Sequence, residues 1–291
     1  MKIQEPINKV TRKQKLKNYS KHPGSFLLAL LTKLAILLTV LALGFILIYI
    51  LVKGIPNLST DLFALKYTTE NVSMLPAIIN TLIITLLSLC IAGPIGIFSA
   101  IYLVEYAKKG NKLVEVVRVT AETLTGIPSI VYGLFGMLFF VTTLKCGYSI
   151  LAGALTLSIM VLPVIMRTTE EALLAVPNSF REGSFGLGAG KLRTIFKIVL
   201  PSAVPGILAG VILAIGRMVG ETAALIYTAG TVAEIPSSIM SSGRTLAIHM
   251  YSLSKEGLYT NQAYATAVVL LIVVVLINML SNFVAKKFTK K

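Results

Sequence analysis

Six apolar runs, each close to the length needed to cross a bilayer, constrain this chain more than any other feature. A helix needs about 20 residues to span the hydrocarbon layer. Lipid also leaves no backbone group unpaired, so runs of this kind fold as helices packed into a bundle. They lie near Phe26 to Val52, Leu75 to Val104, Ile127 to Leu144, Ile150 to Met166, Ala203 to Tyr227 and Ala263 to Ala285. With 55% apolar and 13% charged residues, the chain carries more apolar surface than a soluble domain of 291 residues needs. The expected fold class is therefore all-α, a polytopic membrane helical bundle of six transmembrane helices.

The formal charge of +15 is read as topology, not as affinity for nucleic acid. With the N-terminus in the cytoplasm, Lys53, Lys66, Lys145, Arg244 and Lys255 alone face outward, five of 27 basic residues. That asymmetry places both termini in the cytoplasm and requires an even number of spans. The first 25 residues form a basic tail, and 286–291 a second, also cytoplasmic. The run after the first tail is about twice the length of a secretory h-region and has no small-residue exit, so it is expected to be a retained span. Span 26–52 thus precedes one membrane domain over 74–285. Cys90 and Cys146 have no metal or disulfide spacing and are taken as structural; His22 and His249 have no partner spacing and receive no role.

Spans one and six are plain aliphatic helices, whereas spans two to five carry Gly, Pro and polar residues and should form the working core. Gly93-Pro94-Ile95-Gly96 suggests that the long second stretch bends there or continues as a cytoplasmic extension. Lys112 to Thr125 places charges at Lys112, Glu115, Arg118 and Glu122 between valines, the pattern of an amphipathic segment near the inner surface.

The loop from Arg167 to Pro201 is long and basic, yet compatible with helix on both sides of a Gly-rich centre. Glu182, Gly188, Ile198, Leu200 and Pro201 stand at the spacing E-A-A, three residues, G, nine residues, I, one residue, L-P. This resembles the EAA loop of ABC import permeases, with Gly183 and Ser184 at the two alanine positions. Glycine there weakens helix start-up by about 1 kcal/mol relative to alanine. The expected geometry is a short helix, a turn that glycine permits at Gly188, and a second helix leading into the membrane. By resemblance, an ATPase subunit receives the first helix in a surface groove, with Glu182 near the contact. Gly186 to Lys191 looks phosphate-cradling but is not a Walker A loop, because Phe185 and Leu192 stand where glycine and Ser/Thr are required. ATP and magnesium are accordingly expected on a partner, and no cofactor on this chain.

Span five places Arg217 and Glu221 four residues apart in an apolar run, hence on one face if the helix is continuous. At such depth a charge costs at least about 2.5–3.5 kcal/mol, so the two should line a polar cavity or pair with each other. Charge alone leaves open a structural salt bridge and an anion gate. Gly216-Arg217-Met218-Val219-Gly220-Glu221-Thr222-Ala223 resembles the R-x-x-G-E-T-A signature of PstA-type phosphate permeases, and a PstC-type partner carries a similar segment. Asn80-Thr81, Ala100 to Ala107 and Gly126 to Gly133 resemble the same family. Gly206, Gly210 and Ala214, then Gly216, Gly220 and Ala224, recur every four residues and predict two close-packing faces. Arg167 is a further candidate for the anion path, or a basic residue snorkelling to the interface. Glu122, Thr123 and Thr125 could line an inner vestibule or serve as caps.

The resemblance implies the type I, MetI-like importer fold in a bacterial or archaeal cell membrane. Its implied partners are a homologous PstC-like permease, an ABC ATPase dimer, an extracytoplasmic phosphate-binding protein and membrane lipid. The chain itself would translocate phosphate without being an enzyme. Its rivals are a permease for molybdate or sulfate, the PstC-type subunit, a secondary transporter and an intramembrane enzyme. For the last two, neither inverted repeats nor a Ser/His, HExxH or paired-Asp constellation is present in the sequence.

Overall fold

The computed structural model describes residues 23–108 and 110–289; most of the expected N-terminal tail, with His22, and the last two residues lie outside them. All regular elements among the described residues are helices. The chain divides into two units, Met1–Val52 and Lys53–Lys291. The first unit carries most of α1 (Pro23–Gly54), apolar on every side with exposed leucines and isoleucines, as befits a helix whose solvent is lipid.

The second unit is built on four long helices. Helix α2 (Leu75–Ile101) runs unbroken through Pro94 and continues as π-helix over Tyr102–Tyr106. Next come α3 (Lys112–Thr125) and α4 (Ser129–Gly136), the latter extended as π-helix through Met137–Thr143. These two meet at 104° and together make either one broken span or a re-entrant loop, while five further helices are long and apolar enough to cross a membrane alone. Asn111 caps α3, its side chain accepting from Leu113 N at 3.0 Å.

Helix α5 (Ile150–Leu174) is two turns longer than predicted, because Arg167 to Leu174 continues the helix where a loop was expected. The segment RTTEEALL is rich in good helix formers and has no glycine or proline to stop it. Helices α2 and α5 run parallel: Ser158 Oγ donates to Ser88 O at 3.2 Å, and Gly96 lies against Ile165 and Met166. We call the end at Tyr106 and Leu174 the elbow end, and the end at Leu75 and Ile150 the distal end.

The elbow follows as α6 (Asn178–Gly186), then α7 (Lys191–Thr194), which passes through a π-helical turn at Ile195–Val199 into α8 (Leu200–Val219). Helix α8 runs antiparallel to α5. A Cβ at Gly206 would stand 2.6 Å from that of Ala172, and one at Gly210 would collide with Thr168. The first predicted row of small residues thus makes a close helix–helix contact. The second does not form a helix face, since Gly216 and Gly220 meet no neighbouring element and the helix stops between Gly220 and Ala224.

The predicted fifth span, Ala203 to Tyr227, is therefore interrupted: α8 ends at Val219, and α9 (Ala223–Ile226) follows after a three-residue break. Helix α10 (Leu246–Glu256) had no counterpart in the sequence reading. Its signals were local, a cap in which Thr245 Oγ1 accepts from Ile248 N at 3.4 Å and Gly257 with φ +72° at the other end. Helix α11 (Thr260–Thr289) closes the chain. One core cluster fills the middle of the bundle around Leu157, Met160, Met218 and Leu225; a second lies at the elbow end around Leu173, Val176, Ile195 and Val199.

Candidate functional site

The elbow is positioned by three local features. Gly188 has φ +81°, a conformation natural to glycine, and lets the chain reverse between α6 and α7. Ser184, at the second alanine position of the loop pattern, is buried and shares a 2.8 Å hydrogen bond with Thr194 Oγ1 across that turn. A larger apolar side chain there would lose this link. Glu182 and Gly183 are exposed, Ile198 and Leu200 are half-buried, and Pro201 lies in the first turn of α8, within the continuous helical run Lys191–Val219. A cavity of about 450 Å³ opens beneath the turn, lined by Ser184, Gly188, Arg193, Lys197 and Ile198. Phe180, Phe185 and Leu192 are exposed around it, and Leu187 is 91% exposed.

Sequence reasoning did not find the residues that hold this elbow to the bundle. Arg181 donates from Nε and Nη2 to Glu105 Oε1 at 3.1 and 2.6 Å, joining α6 to the π-helical continuation of α2. Its Nη1 donates to Val176 O at 2.8 Å and its Nη2 to Leu173 O at 3.0 Å, two carbonyls of the turn where α5 ends. The two charged side chains are 15% and 9% exposed, so the pair is dry on both sides. No short motif could have revealed a bond between residues 76 apart in sequence.

A second charged cluster joins α3 to α5 at the same end. Arg118 meets Glu170 at 2.6 Å, and Arg167 meets Glu122 at 3.5 Å and Glu171 at 3.2 Å. These groups border a cavity of about 220 Å³. Arg167 is thus placed on helix α5 and held between two carboxylates. Thr123 and Thr125 donate to Val119 O and Glu122 O, local bonds of the helix end.

Arg217 and Glu221 are separated by the break. Because Gly220 ends α8, Glu221 is not one turn along the same helix face as expected; it turns back to cap α9, its Oε1 accepting from Ala224 N at 3.1 Å. Glu221 is 9% exposed and Arg217 half-buried, at the level of Met218 in the central core. Among the described residues, Arg217 forms no ion pair with Glu221 or with any other carboxylate. The two charges therefore do not lock to one another; the acid organises the broken helix, and the guanidinium remains available. No group of three His, Cys, Asp or Glu among the described residues is arranged to hold a metal ion.

Residues 92–291 match the family model described as the binding-protein-dependent transport system inner membrane component. The chain is 36% identical over 269 residues to the phosphate transport system permease protein PstA of Pasteurella multocida, covering 88% of this chain and 92% of that protein. It is 32% identical over 261 residues to the probable ABC transporter permease protein YqgI of Bacillus subtilis, covering 84% and 88%. Among solved structures, a bacterial alginate ABC transporter aligns with a TM-score of 0.68 at 16% identity, over 94% of this chain and 98% of that one. The MetNI methionine ABC transporter aligns with a TM-score of 0.57 at 21% identity, over 74% and 94%. The helical bundle is thus the MetI-like importer fold, and the chain is a multi-pass membrane component rather than an ATPase. From its sequence and its fold alike, the chain belongs to the family of binding-protein-dependent transport system inner membrane components.

Proposed function

We propose that this chain is the PstA-type permease of an ATP-driven phosphate importer, working beside a homologous PstC-like permease. An ATPase dimer grips the elbow, which lies in the cytoplasm with both chain termini, and an extracytoplasmic protein delivers phosphate to the distal end. ATP and magnesium belong to the ATPase. Arg217 binds the anion in mid-bundle, Glu221 keeps the helix broken beside it, and Arg167 stands at the inner exit, where its carboxylate partners compete with the passing anion. Movement of the ATPases enters through Glu182 to Gly188 and reaches α2 and α5 through the Arg181–Glu105 pair.

The observation that carries this reading is an unpaired, half-buried arginine at a helix break inside a segment of the R-x-x-G-E-T-A form. A guanidinium presents paired donors that suit a tetrahedral oxyanion. The test is uptake of radiolabelled phosphate by the assembled complex carrying Arg217→Ala, with assembly checked by co-purification of its subunits. Uptake should fall about ten- to a hundred-fold, corresponding to ~1.5–3 kcal/mol for one charge-assisted contact. Undiminished uptake would remove Arg217 from the path.

A further inference from the structure

The distal end holds a second buried guanidinium, on elements that contain none of the residues assigned above. Arg244 lies between α9 and α10 and is 6% exposed. Its main chain is pinned, with N donating to Val232 O at 2.8 Å and O accepting from Asn80 Nδ2 at 3.2 Å. Its Cζ stands 4.6 Å from the centre of the Tyr67 ring, and that ring meets His249 edge-on at 6.2 Å. The loop carrying Tyr67 is fixed by Asn71, which accepts from Thr68 N and Ser73 N and donates to Lys66 O. Beside it, Val72 has φ +47°, an unusual conformation for a β-branched residue.

Within this enclosure Nε and Nη2 of Arg244 are buried and meet no acceptor in the protein. Those two nitrogens point their N–H bonds side by side, forming the edge with which arginine grips a two-oxygen acceptor. Arg181 turns this same edge to Glu105, and Arg118 and Arg167 each face a glutamate. Among the described residues no carboxylate pairs with Arg244. The Tyr67 face offsets part of the charge but accepts no N–H in the guanidinium plane. His249 adds no second charge: burial, and then Arg244 beside it, push its imidazole down to about 3, against a weaker opposing pull from the Val72 main chain. A buried cation with its best pair of donors unmet is incomplete without an anionic acceptor.

We propose that Arg244 is a second oxyanion site at the distal end, taking a small tetrahedral anion of the phosphate or sulfate class on its Nε–Nη2 edge. That phosphate is the physiological occupant rests on the import reading; the site itself does not. The test is equilibrium binding of radiolabelled phosphate, at constant ionic strength, to the assembled complex without its binding protein. All samples carry Arg217→Ala, which silences the mid-bundle site. Arg244→Met should weaken the remaining phosphate binding at least about tenfold. Arg244→Lys, which keeps the charge and guards against simple misfolding, should weaken it comparably because a lysine lacks the paired donors. Sulfate should compete and chloride should not. Binding that is the same with Arg244, Met or Lys at this position overturns the proposal, as does competition by chloride equal to that by sulfate. If the unmutated complex imports no phosphate while Arg244-dependent binding persists, the site stands and the import reading falls.

Discussion

Replacing Arg181 by methionine removes five hydrogen bonds at once while leaving the shape of the site nearly filled. Two of these bonds reach Glu105 Oε1, at 3.1 and 2.6 Å, two reach the carbonyls of Val176 and Leu173, at 2.8 and 3.0 Å, and a longer one reaches Asn178 Oδ1 at 3.5 Å. Glu105, 9% exposed, would then keep its carboxylate shielded from water without a counter-charge. Breaking one side of a buried pair costs about 3–5 kcal/mol, mostly through the stranded charge rather than the lost attraction. The assay is reversible denaturant unfolding of the purified chain in detergent, run as a cycle with Glu105→Gln and with the double variant. Arg181→Met should cost about 3–5 kcal/mol and Glu105→Gln less, because a neutral amide still accepts a bond. The double variant should fall short of their sum by about 0.5–3 kcal/mol, since with the carboxylate gone no charge is stranded. A cost below about 1 kcal/mol for Arg181→Met, or strict additivity across the cycle, would refute the argument that a dry ion pair fastens the elbow.

Two further outcomes can be checked by similar means. A Cβ at Gly188 has open space, so the cost of Gly188→Ala lies in the φ of +81° alone, about 1–2 kcal/mol, and Gly188→Asn should retain more stability and more coupling of ATP hydrolysis to uptake, because asparagine tolerates this conformation. For His249 the folded imidazole is held near 3 while the unfolded one titrates at its ordinary value of 6.5, so between those values the unfolded chain binds the extra proton. Stability should therefore be full above pH 6.5 and decline as pH falls toward 3; thermal midpoints should show this slope, and His249→Phe should flatten it.

Much of the architecture was legible because hydropathy and turn chemistry act locally. Five of the six apolar runs became helices long enough to span, and the sixth is one arm of a bent pair. The elbow could be read from the spacing between Glu182 and Pro201, since a glycine that must turn carries its conformation with it. The length of α5 was underestimated because charged residues were taken as the end of the membrane, whereas a helix may outrun the lipid whenever its residues favour it. The break at Gly220 was hidden for the opposite reason: Ala223 to Tyr227 is as apolar as what precedes it, and hydropathy does not register a change of direction.

The sequence by itself determined that this is a helical membrane chain, where its spans lie, and where the elbow turns, because each depends on residues within one or two turns of each other. Tertiary structure decided which charges meet. It brought Arg181 to Glu105 across 76 residues, set Asn80 against the Arg244 main chain across 164, separated Arg217 from the acid four residues away, and left the Arg244 edge unpaired. Charge pairing falls off over a few ångströms in space, and distance along the chain does not fix distance in the fold.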